Sequence, residues 1–341
     1  MFYQLQTEFA NPNLFGFRDA FIGFRDVPIL QTVIIGNQKR PLSLDQLNSS
    51  NHNVFIERPL PAEAFNENNR RIGIAAYGYA ENGRATWTHG IYNLENIQND
   101  GSYRGDARQL SFNNRLSILP WYDETSDGRG YLHLAIANMI ARPDGQPNVG
   151  DTNVNEARWR SIPELASRSR WIDTGRIAGA DLFDTLGLEA MLNIGPFSIV
   201  SEYINNWVSR DSGSSLYFHG AYVYVAYWLT GEHQPYNKRR GVIGQVKPFE
   251  NFFLVERCRG GWGGGWGAWQ IAARYSYLDL TDNDIRGGVE DNVTFGLNWI
   301  WNTNARMQFN YVIGKIRDRQ PVNGFTGGSF TGISTRLMVY W

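Results

Sequence analysis

The chain has 341 residues, a formal net charge of -1 and a mean hydropathy of -0.40. The near-neutral charge gives no global field for nucleic acid, so no nucleic-acid partner is predicted, and the single cysteine excludes a disulfide framework or a cysteine-based zinc site. No run of 18 apolar residues is available for a membrane-spanning helix. The aromatic share of 14%, rich in Tyr and Trp, is typical of a protein at an apolar–aqueous boundary.

Alternation of polar and apolar residues predicts about fourteen β-strands along the chain. The first covers 2–10, directly at the N-terminus, and the next two cover 17–25 and 29–36. Further strands are predicted at 70–80, 84–93, 107–119, 131–141, 182–194, 196–208 and 216–230. The last four cover 266–278, 291–302, 305–316 and 328–341. No segment favours a long helix, although the loops have room for a short one.

Three long segments without a sustained period interrupt these strands, at 37–69, 143–180 and 231–265. Other connections are short, such as Glu81-Asn82-Gly83 and Gly195-Pro196. Loops this long are uncommon in compact domains and are usually functional or disordered. Short turns that alternate with long loops are typical of outer-membrane β-barrels, in which the two kinds of connection lie at opposite ends.

The two faces of the predicted strands differ in polarity. In 291–302 the apolar face carries Val293, Phe295, Leu297, Trp299 and Trp301. A soluble β-sandwich also has one apolar face, but its strands are usually shorter and rarely end in aromatic residues. We therefore predict an all-β fold over 1–341, a single transmembrane antiparallel β-barrel domain, with a soluble β-sandwich binding protein as the alternative. Trp341 is expected in an interfacial aromatic girdle.

The chain resembles the phosphate-selective porins O and P of Gram-negative outer membranes. The resemblance rests on four stretches in order: SSNHNVFIERPL, ARWRSIPELASRSRWIDTG, AYWLTGEHQPY and GAWQIAARYSYLDLTDNDI. It implies a homotrimer of sixteen-stranded barrels in outer-membrane lipid, passive diffusion of small anions such as phosphate, and no cofactor. It also implies that a signal peptide and about two strands precede the first residue here, which leaves open whether fourteen strands close into a barrel.

In this family the first long loop folds into the barrel as a constriction, which implies the same for 37–69. Guanidinium, ammonium and hydroxyl groups there would donate to a partly dehydrated anion. The candidate constriction residues are Lys39, Arg40, Ser49, Ser50 and Arg58. Alternatively, Arg58 pairs with Glu57 or Glu63 and only fixes the loop. The family's phosphate specialists carry lysines where this chain has Gln46 and Asn51, so phosphate specificity stays open.

The second long loop carries arginines that the resemblance implies line a vestibule as a ladder: Arg158, Arg160, Arg168, Arg170 and Arg176. One sign of charge between low-dielectric walls focuses the field and draws anions inward. The alternative is a solvated loop whose arginines pair with Glu156 and Glu164. Within strands, Arg274, Arg306 and Arg336 are expected to face the lumen, because an arginine at the lipid midplane costs ~2–4 kcal/mol.

Together these features predict a porin for small anions and not an enzyme. The functional alternative is a porin of other or no specificity, or a barrel whose loops bind a ligand. The five histidines lack metal-ligand spacing, so no metal site is predicted. GGWGGGWG, the glycine-rich stretch in 231–265, lacks the following helix and the GK[ST] of a phosphate-binding loop, and Cys258 lies near it without a recognisable catalytic partner.

Overall fold

A computed structural model describes residues 1–8, 16–96, 108–144, 155–167, 169–256 and 260–340. The described residues form two short helices, α1 (Leu44–Leu47) and α2 (Leu60–Phe65). The first ten strands are β1 (Phe2–Glu8), β2 (Gly16–Val27), β3 (Gln31–Lys39), β4 (Arg70–Tyr79), β5 (Ala85–Asn93), β6 (Leu110–Tyr122), β7 (Gly130–Arg142), β8 (Arg160–Ser161), β9 (Ile172–Asp173) and β10 (Ala180–Ile194). The others are β11 (Phe197–Arg210), β12 (Leu216–Trp228), β13 (Tyr236–Asn237), β14 (Val242–Ile243), β15 (Phe253–Glu256), β16 (Trp262–Gly265), β17 (Ala268–Asp282), β18 (Ile285–Asn302), β19 (Ala305–Arg319) and β20 (Gly328–Val339).

Fourteen of these strands form one antiparallel sheet in the order β1 to β7, β10 to β12 and β17 to β20. The remaining six form three small hairpins within the long connections: β8 with β9, β13 with β14, and β15 with β16. The predicted fourteen strands are therefore confirmed. We call this fourteen-stranded sheet the wall. A β-sandwich needs two packed sheets, whereas the wall is a single sheet.

The largest difference in strand bounds is at β18, which begins at Ile285 instead of the predicted 291. A tight turn at Asn283-Asp284 lets Ile285 pair with Asp282, and Asn283 has a positive φ of 48°. The residues after the turn, with Gly287 and Gly288, do not alternate in polarity, so their pairing is not visible in the sequence pattern.

The sheet curves around the segment 40–69. Lys39, at the end of the third strand, donates to the carbonyl of Asn48 at 2.7 Å, and Arg306 on the thirteenth strand donates to the carbonyl of Ser50 at 2.8 Å. In a flat sheet these two strands would lie ten spacings apart, ~48 Å. Two residues of chain span at most ~7 Å. The wall therefore bends back on itself as a barrel does, with the 40–69 segment inside.

The face of the sheet that contacts this segment, the inner face, is polar and buried. It carries, among others, Asn113, Arg115, Thr185, Glu189, Asn206, Arg274, Thr294, Arg306 and Gln308. The opposite, outer face exposes apolar side chains, among them Ile22, Ile35, Ile74, Ile91, Phe112, Leu116, Ile136, Leu188, Val225, Ile271, Phe295, Ile313 and Leu337. This alternation is the one that a membrane barrel needs, since lipid-facing and lumen-facing residues occupy alternate positions.

The two ends of the wall differ in their connections. At the long-loop end lie 40–69, 94–109 and 143–179, and at the short-turn end lie 28–30, 80–84, 123–129, 195–196 and 303–304. There are exceptions at both ends: the connections 211–215 and 283–284 are short and lie at the long-loop end, and 229–267 is long and lies at the short-turn end. An outer-face belt of aromatic residues marks that end and is called here the short-turn belt: Trp121, Phe197, Tyr227, Trp269 and Trp299.

The apolar core lies between the inner face and the loops. One buried cluster joins Leu60 and Phe65 of α2 to Ile204 and Phe218 of the wall and to Trp159 of the connection 143–179, which is called here the arginine-bearing loop. Loop helices and wall therefore stabilise each other through burial of apolar surface. Among the described residues, no helix has the length and apolarity required to cross a bilayer.

Candidate functional site

The 40–69 segment begins with a turn of helix held by Lys39. The Nζ of Lys39 donates to the carbonyls of Gln46, Leu47 and Asn48 at 2.9, 3.1 and 2.7 Å. These are carbonyls at the C-terminal end of α1, where helical carbonyls lack partners within the helix. All three ammonium donors of Lys39 are thus directed to backbone, so anion binding by this side chain stays a prediction.

The three arginines predicted in mid-strand all lie on the inner face and hold the loop by its carbonyls. Arg274 donates to Glu57 at 3.1 Å, Arg336 to Ile56 at 3.2 Å, and Arg306 to Asn53 at 3.0 Å in addition to Ser50. Arginine suits this position because its five donors reach several acceptors at once.

Arg58 pairs with Asp45, at 2.8 Å between Nη1 and Oδ1, and not with Glu57 or Glu63 as the alternative interpretation supposed. The backbone N–H of Asp45 in turn donates to the Glu202 carboxylate on β11 at 3.0 Å. Arg58 therefore links the second half of the loop to α1 and, through it, to the wall.

The other polar residues predicted in this loop are mostly engaged within it. Gln46 is buried and donates to the carbonyl of Ala62 at 2.9 Å, which joins α1 to α2. Ser49 Oγ accepts from the backbone N–H of Asn51 at 3.3 Å, and Ser50 is exposed. Of the two hydroxyls predicted to bind an anion, that of Ser50 is the more accessible.

A cavity of about 380 Å³ lies at the long-loop end, between the start of the 40–69 segment and the arginine-bearing loop. Charged groups dominate its lining, which also includes Phe65, Trp159 and Phe183. The charged residues are Arg40, Arg71, Arg158, Arg160, Arg176, Glu67 and Glu156. Five arginines against two glutamates leave a formal excess of three positive charges, and we call this space the arginine cavity.

Carboxylates position three of the arginines predicted for the vestibule. Arg158 donates bidentately to Asp173, with 2.9 Å between Nε and Oδ1, and Arg160 donates to Glu67 at 2.9 Å. Arg176 lies 3.8 Å from Glu156. The β8–β9 hairpin places Arg160 opposite Asp173 and so brings these side chains to one side of the loop.

Of the two remaining arginines of this group, the structure describes only Arg170. Arg170 bridges Glu63 at 3.2 Å and Glu67 at 2.6 Å, beside the cavity and outside its lining. Arg168 is outside the described residues, as are Trp341 and Cys258.

The carboxylates around the cavity differ in pKa according to their arginine partners. Burial alone would raise the pKa of Glu67, but hydrogen bonds and charge from Arg160 and Arg170 lower it overall. The pKa of Asp173 is also lowered, because the hydrogen bonds that it accepts from Arg158 and Gly175 outweigh the opposite effect of burial. The pKa of Glu63 is raised, since burial outweighs the charge of Arg170.

Arg40 differs from Arg158, Arg160 and Arg176 because, among the described residues, it forms no ion pair. Its side chain is buried, its Nη1 reaches only the sulfur of Met139 at 3.3 Å, and its Nε has no hydrogen-bond partner. Burial, followed by the neighbouring charge of Arg71, lowers the pKa of Arg40 well below its ordinary value. A buried cation without a counter-charge is costly, and a bound anion would remove that cost.

A second segment, 233–246, enters the interior from the short-turn end, which the sequence pattern did not predict. Arg115 on β6 donates to the carbonyl of Gly241 at 2.9 Å while forming a fully buried pair with Glu189. The backbone N–H of Ile243 donates to Asn48 in the first loop at 3.1 Å. Two segments from opposite ends therefore meet inside the wall and narrow it.

Several site residues were missed by the sequence analysis. Arg71 and Arg115 lie on predicted strands, so the reasoning applied to Arg274 would have found them. Glu164, proposed only as a partner for the vestibule arginines, accepts instead from Arg274 at 2.6 Å. No local pattern in the sequence identifies Glu164 as the partner of Arg274, since 110 residues separate the two.

Among the described residues, no cluster of three or more His, Cys, Asp or Glu could hold a metal ion.

Glu57 is the loop carboxylate whose protonation we expect to be visible. Burial, then the neighbouring Glu63, raises its pKa to about 7 against the opposing charges of Arg336, Arg274 and Arg58. As the pH rises through about 7, Glu57 gains a negative charge near these arginines. We expect the preference for anions that the sequence predicts to fall over that interval, and Glu57→Gln to abolish the fall.

The readout is the zero-current potential across a planar bilayer at pH 5.5 to 8.5. Since the folded-state pKa lies above the ordinary value of 4.5, the contribution of Glu57 to stability is present below pH 4.5 and is lost as the pH rises through about 7. Thermal melts should show a weaker pH dependence for Glu57→Gln over the same range. An unchanged pH profile in the variant would contradict this assignment.

Comparison with known proteins places the whole chain in one family. The family described as phosphate-selective porin O and P matches residues 1–341. Porin O of Pseudomonas aeruginosa is 28% identical over 165 residues, which is 44% of this chain and 34% of that protein. The chain also spans only 58% of the length of a further curated relative that it matches.

Two solved structures share the fold. The outer membrane protein OmpT of Vibrio cholerae superposes with a TM-score of 0.53 at 12% identity, over 98% of this chain and 84% of that one. An anion-selective porin from Comamonas acidovorans superposes with a TM-score of 0.50 at 13% identity, over 98% and 81%. At these identities the likeness shows the fold alone.

Proposed function

Because the chain belongs to the phosphate-selective porin O and P family, we propose that it is a porin through which small anions diffuse passively. Family and fold are those of channels of the bacterial outer membrane and not of enzymes. The observation that carries the anion preference is the arginine cavity, with five arginines against two glutamates at the long-loop end. By the usual arrangement of such barrels, that end faces outward from the cell.

In this mechanism the cavity gathers anions and the narrowed interior selects them. Arginines fixed by Asp173 and Glu67 need little reorganisation when an anion arrives, so binding is fast. Arg40, with free donors, supplies the charge that the carboxylates have not already neutralised. Each arginine replaces part of the hydration shell weakly enough to release the anion again.

Phosphate is the candidate substrate that the family suggests. Gln46, in place of a family lysine, has its amide bonded to Ala62 and adds no charge to the path. A doubly charged anion loses more than a singly charged one when such a lysine is absent. We therefore propose a general preference for anions, with phosphate among those that pass.

The experiment that tests this proposal is the zero-current potential of the purified protein in a planar bilayer under a KCl gradient. We expect a potential of the sign set by chloride, and added phosphate should reduce the chloride current. Cation selectivity would overturn the anion mechanism. A protein that inserts but does not conduct would favour a barrel that binds a ligand at the cavity without passing it.

We also propose that the protein assembles as a homotrimer and that the outer face of β5 to β7 and β10 contacts a second copy. Two polar pairs lie in this face: His89 with Asn114 at 2.7 Å between Nδ1 and Oδ1, and Asn138 with Asp184. Exposed apolar residues flank them on both sides along the strands, including Ile91, Phe112, Leu116, Ile136, Ile140 and Leu188. A carboxylate and unsatisfied amides are unfavourable against lipid, whereas a partner subunit can supply donors.

Asp184→Lys is expected to lower the trimer fraction by placing an unpartnered ammonium in this contact. The matched control is Asp181→Lys, on the same strand, where the residue is exposed at the strand start. Native mass spectrometry of detergent-solubilised protein measures the fraction of each species. A wild-type monomer, or an Asp184→Lys trimer as stable as the control, would contradict the contact.

A further inference from the structure

The second half of the connection 229–267 lies on the outside of the wall. Its described residues 249–256 and 260–266, which include the β15–β16 hairpin, are called here the aromatic hairpin. Four of its side chains are large, aromatic and unusually exposed: Phe249 at 66%, Phe253 at 67%, Trp262 at 70% and Trp266 at 76%. Such a concentration of exposed aromatic surface indicates an interaction surface.

The base of the aromatic hairpin is fixed to the outer face. The Phe252 ring packs edge-on against Trp299 with 4.6 Å between centroids, and its backbone N–H donates to the carbonyl of Trp301 at 2.6 Å. The indole N–H groups of Trp269 and Trp299 both donate to the carbonyl of Trp266, at 3.1 and 2.8 Å. These contacts attach the hairpin to the surface that faces lipid and keep it away from the pore.

The aromatic hairpin is continuous with the short-turn belt. Trp269 and Trp299, which hold the hairpin, belong to that belt and stack on each other with centroids 4.8 Å apart. Belts of Trp and Tyr in membrane barrels sit at the boundary between headgroups and acyl chains. Exposed carboxylates at Glu250 and Glu256 lie beside the exposed rings, and such mixed surfaces suit that boundary.

We propose that the aromatic hairpin is a membrane anchor, which inserts Phe253, Trp262 and Trp266 into the headgroup–acyl boundary of the leaflet at the short-turn end. The inference rests on the proposed function only in requiring that the wall spans a bilayer. It extends the lipid-contacting surface beyond the strands on one side of the barrel. Lipid is the occupant because the hairpin continues a lipid-facing belt without a break.

The test uses a spin label at Trp262→Cys in a Cys258→Ser background, since the chain has a single cysteine. The labelled protein is reconstituted in phosphatidylethanolamine–phosphatidylglycerol vesicles, and power saturation compares collisions with oxygen and with a water-soluble nickel chelate. We expect an oxygen-to-nickel accessibility ratio several-fold above that of a control label at Phe325→Cys, a 72% exposed residue in the loop 320–327 at the opposite end.

Each other outcome overturns the proposal. Free access of the nickel chelate would place the hairpin in water, and an immobilised label shielded from both reagents would indicate a protein partner or a second copy. A label at Trp266→Cys repeats the measurement if the first variant does not fold. Anion selectivity is a separate readout: Trp262→Ser with Trp266→Ser should leave the zero-current potential unchanged, so failure of the anchor and failure of the pore are distinguishable.

Discussion

Replacement of Arg40 by methionine is expected to stabilise the protein while weakening its interaction with anions. Arg40 is buried and has no carboxylate partner in the part of the chain that the structure describes, so its removal relieves an uncompensated charge and should raise the free energy of unfolding by about 1–3 kcal/mol. The same change removes a charge from the arginine cavity, which at close range contributes up to ~4 kcal/mol at an effective dielectric constant of 20. After rearrangement of the remaining arginines, we expect the phosphate concentration for half-block of chloride current to rise about tenfold.

Arg115→Met is the matched control for stability. Arg115 is equally buried but forms a bidentate pair with Glu189, so its loss leaves a buried carboxylate alone and should destabilise the protein by about 3–5 kcal/mol. Opposite signs for two buried arginines on the inner side distinguish a binding charge from a structural one. Guanidinium unfolding followed by tryptophan fluorescence measures the first quantity, and phosphate titration in a planar bilayer the second. Destabilisation by Arg40→Met would show that Arg40 stabilises the fold, against its assignment as an anion-binding group.

The strands could be predicted from the sequence because each carries its own signal. Alternation along β19 and β20 reports directly which side chains face lipid, since a membrane barrel has one apolar and one polar face with a period of two. Gly287 and Gly288 in β18 interrupt the alternation of polar and apolar residues, and the observed start of this strand therefore differs from the predicted start. The inner-face position of Arg274, Arg306 and Arg336 could be predicted because an arginine that faces lipid is energetically costly, and this cost can be judged for each residue by itself.

The sequence predicts which arginines belong to the site, but it does not predict their ion-pair partners or their positions relative to one another. Which carboxylate meets which arginine depends on loops that converge after the wall has curved. Arg58 pairs with Asp45 and Arg160 with Glu67, partners 13 and 93 residues away in sequence. Neither spacing has a periodic signature. The inward path of 233–246 was also invisible, since a polar segment with Gln234 and Tyr236 has the composition of an ordinary loop.

Glu164 joins α2, β17 and β18, and its replacement by glutamine is expected to destabilise the protein strongly. Its Oε2 accepts from Arg274 at 2.6 Å and from Thr294 at 2.7 Å, and its Oε1 accepts from the backbone N–H of Leu60 at 3.2 Å. The Glu164 side chain is fully buried and that of Arg274 is 1% exposed. Glu164→Gln therefore leaves a buried guanidinium unpaired and directs an amide at one of two donors, at a cost of about 3–5 kcal/mol.

The same substitution should also widen the channel, because Glu164 is the group that ties α2 and the arginine-bearing loop to β17 and β18. We expect a lower unfolding midpoint together with a larger and noisier single-channel conductance. Thr294→Val removes one neutral partner and should cost only about 1 kcal/mol, whereas Glu124→Gln at a half-exposed pair with Lys238 should change neither quantity measurably. A destabilised Glu164→Gln protein with unchanged conductance would mean that the loop is held by its apolar contacts at Leu60 and Phe65. In that case the width of the channel would depend on the burial of apolar side chains in the loop, and Arg274 would stabilise only the sheet.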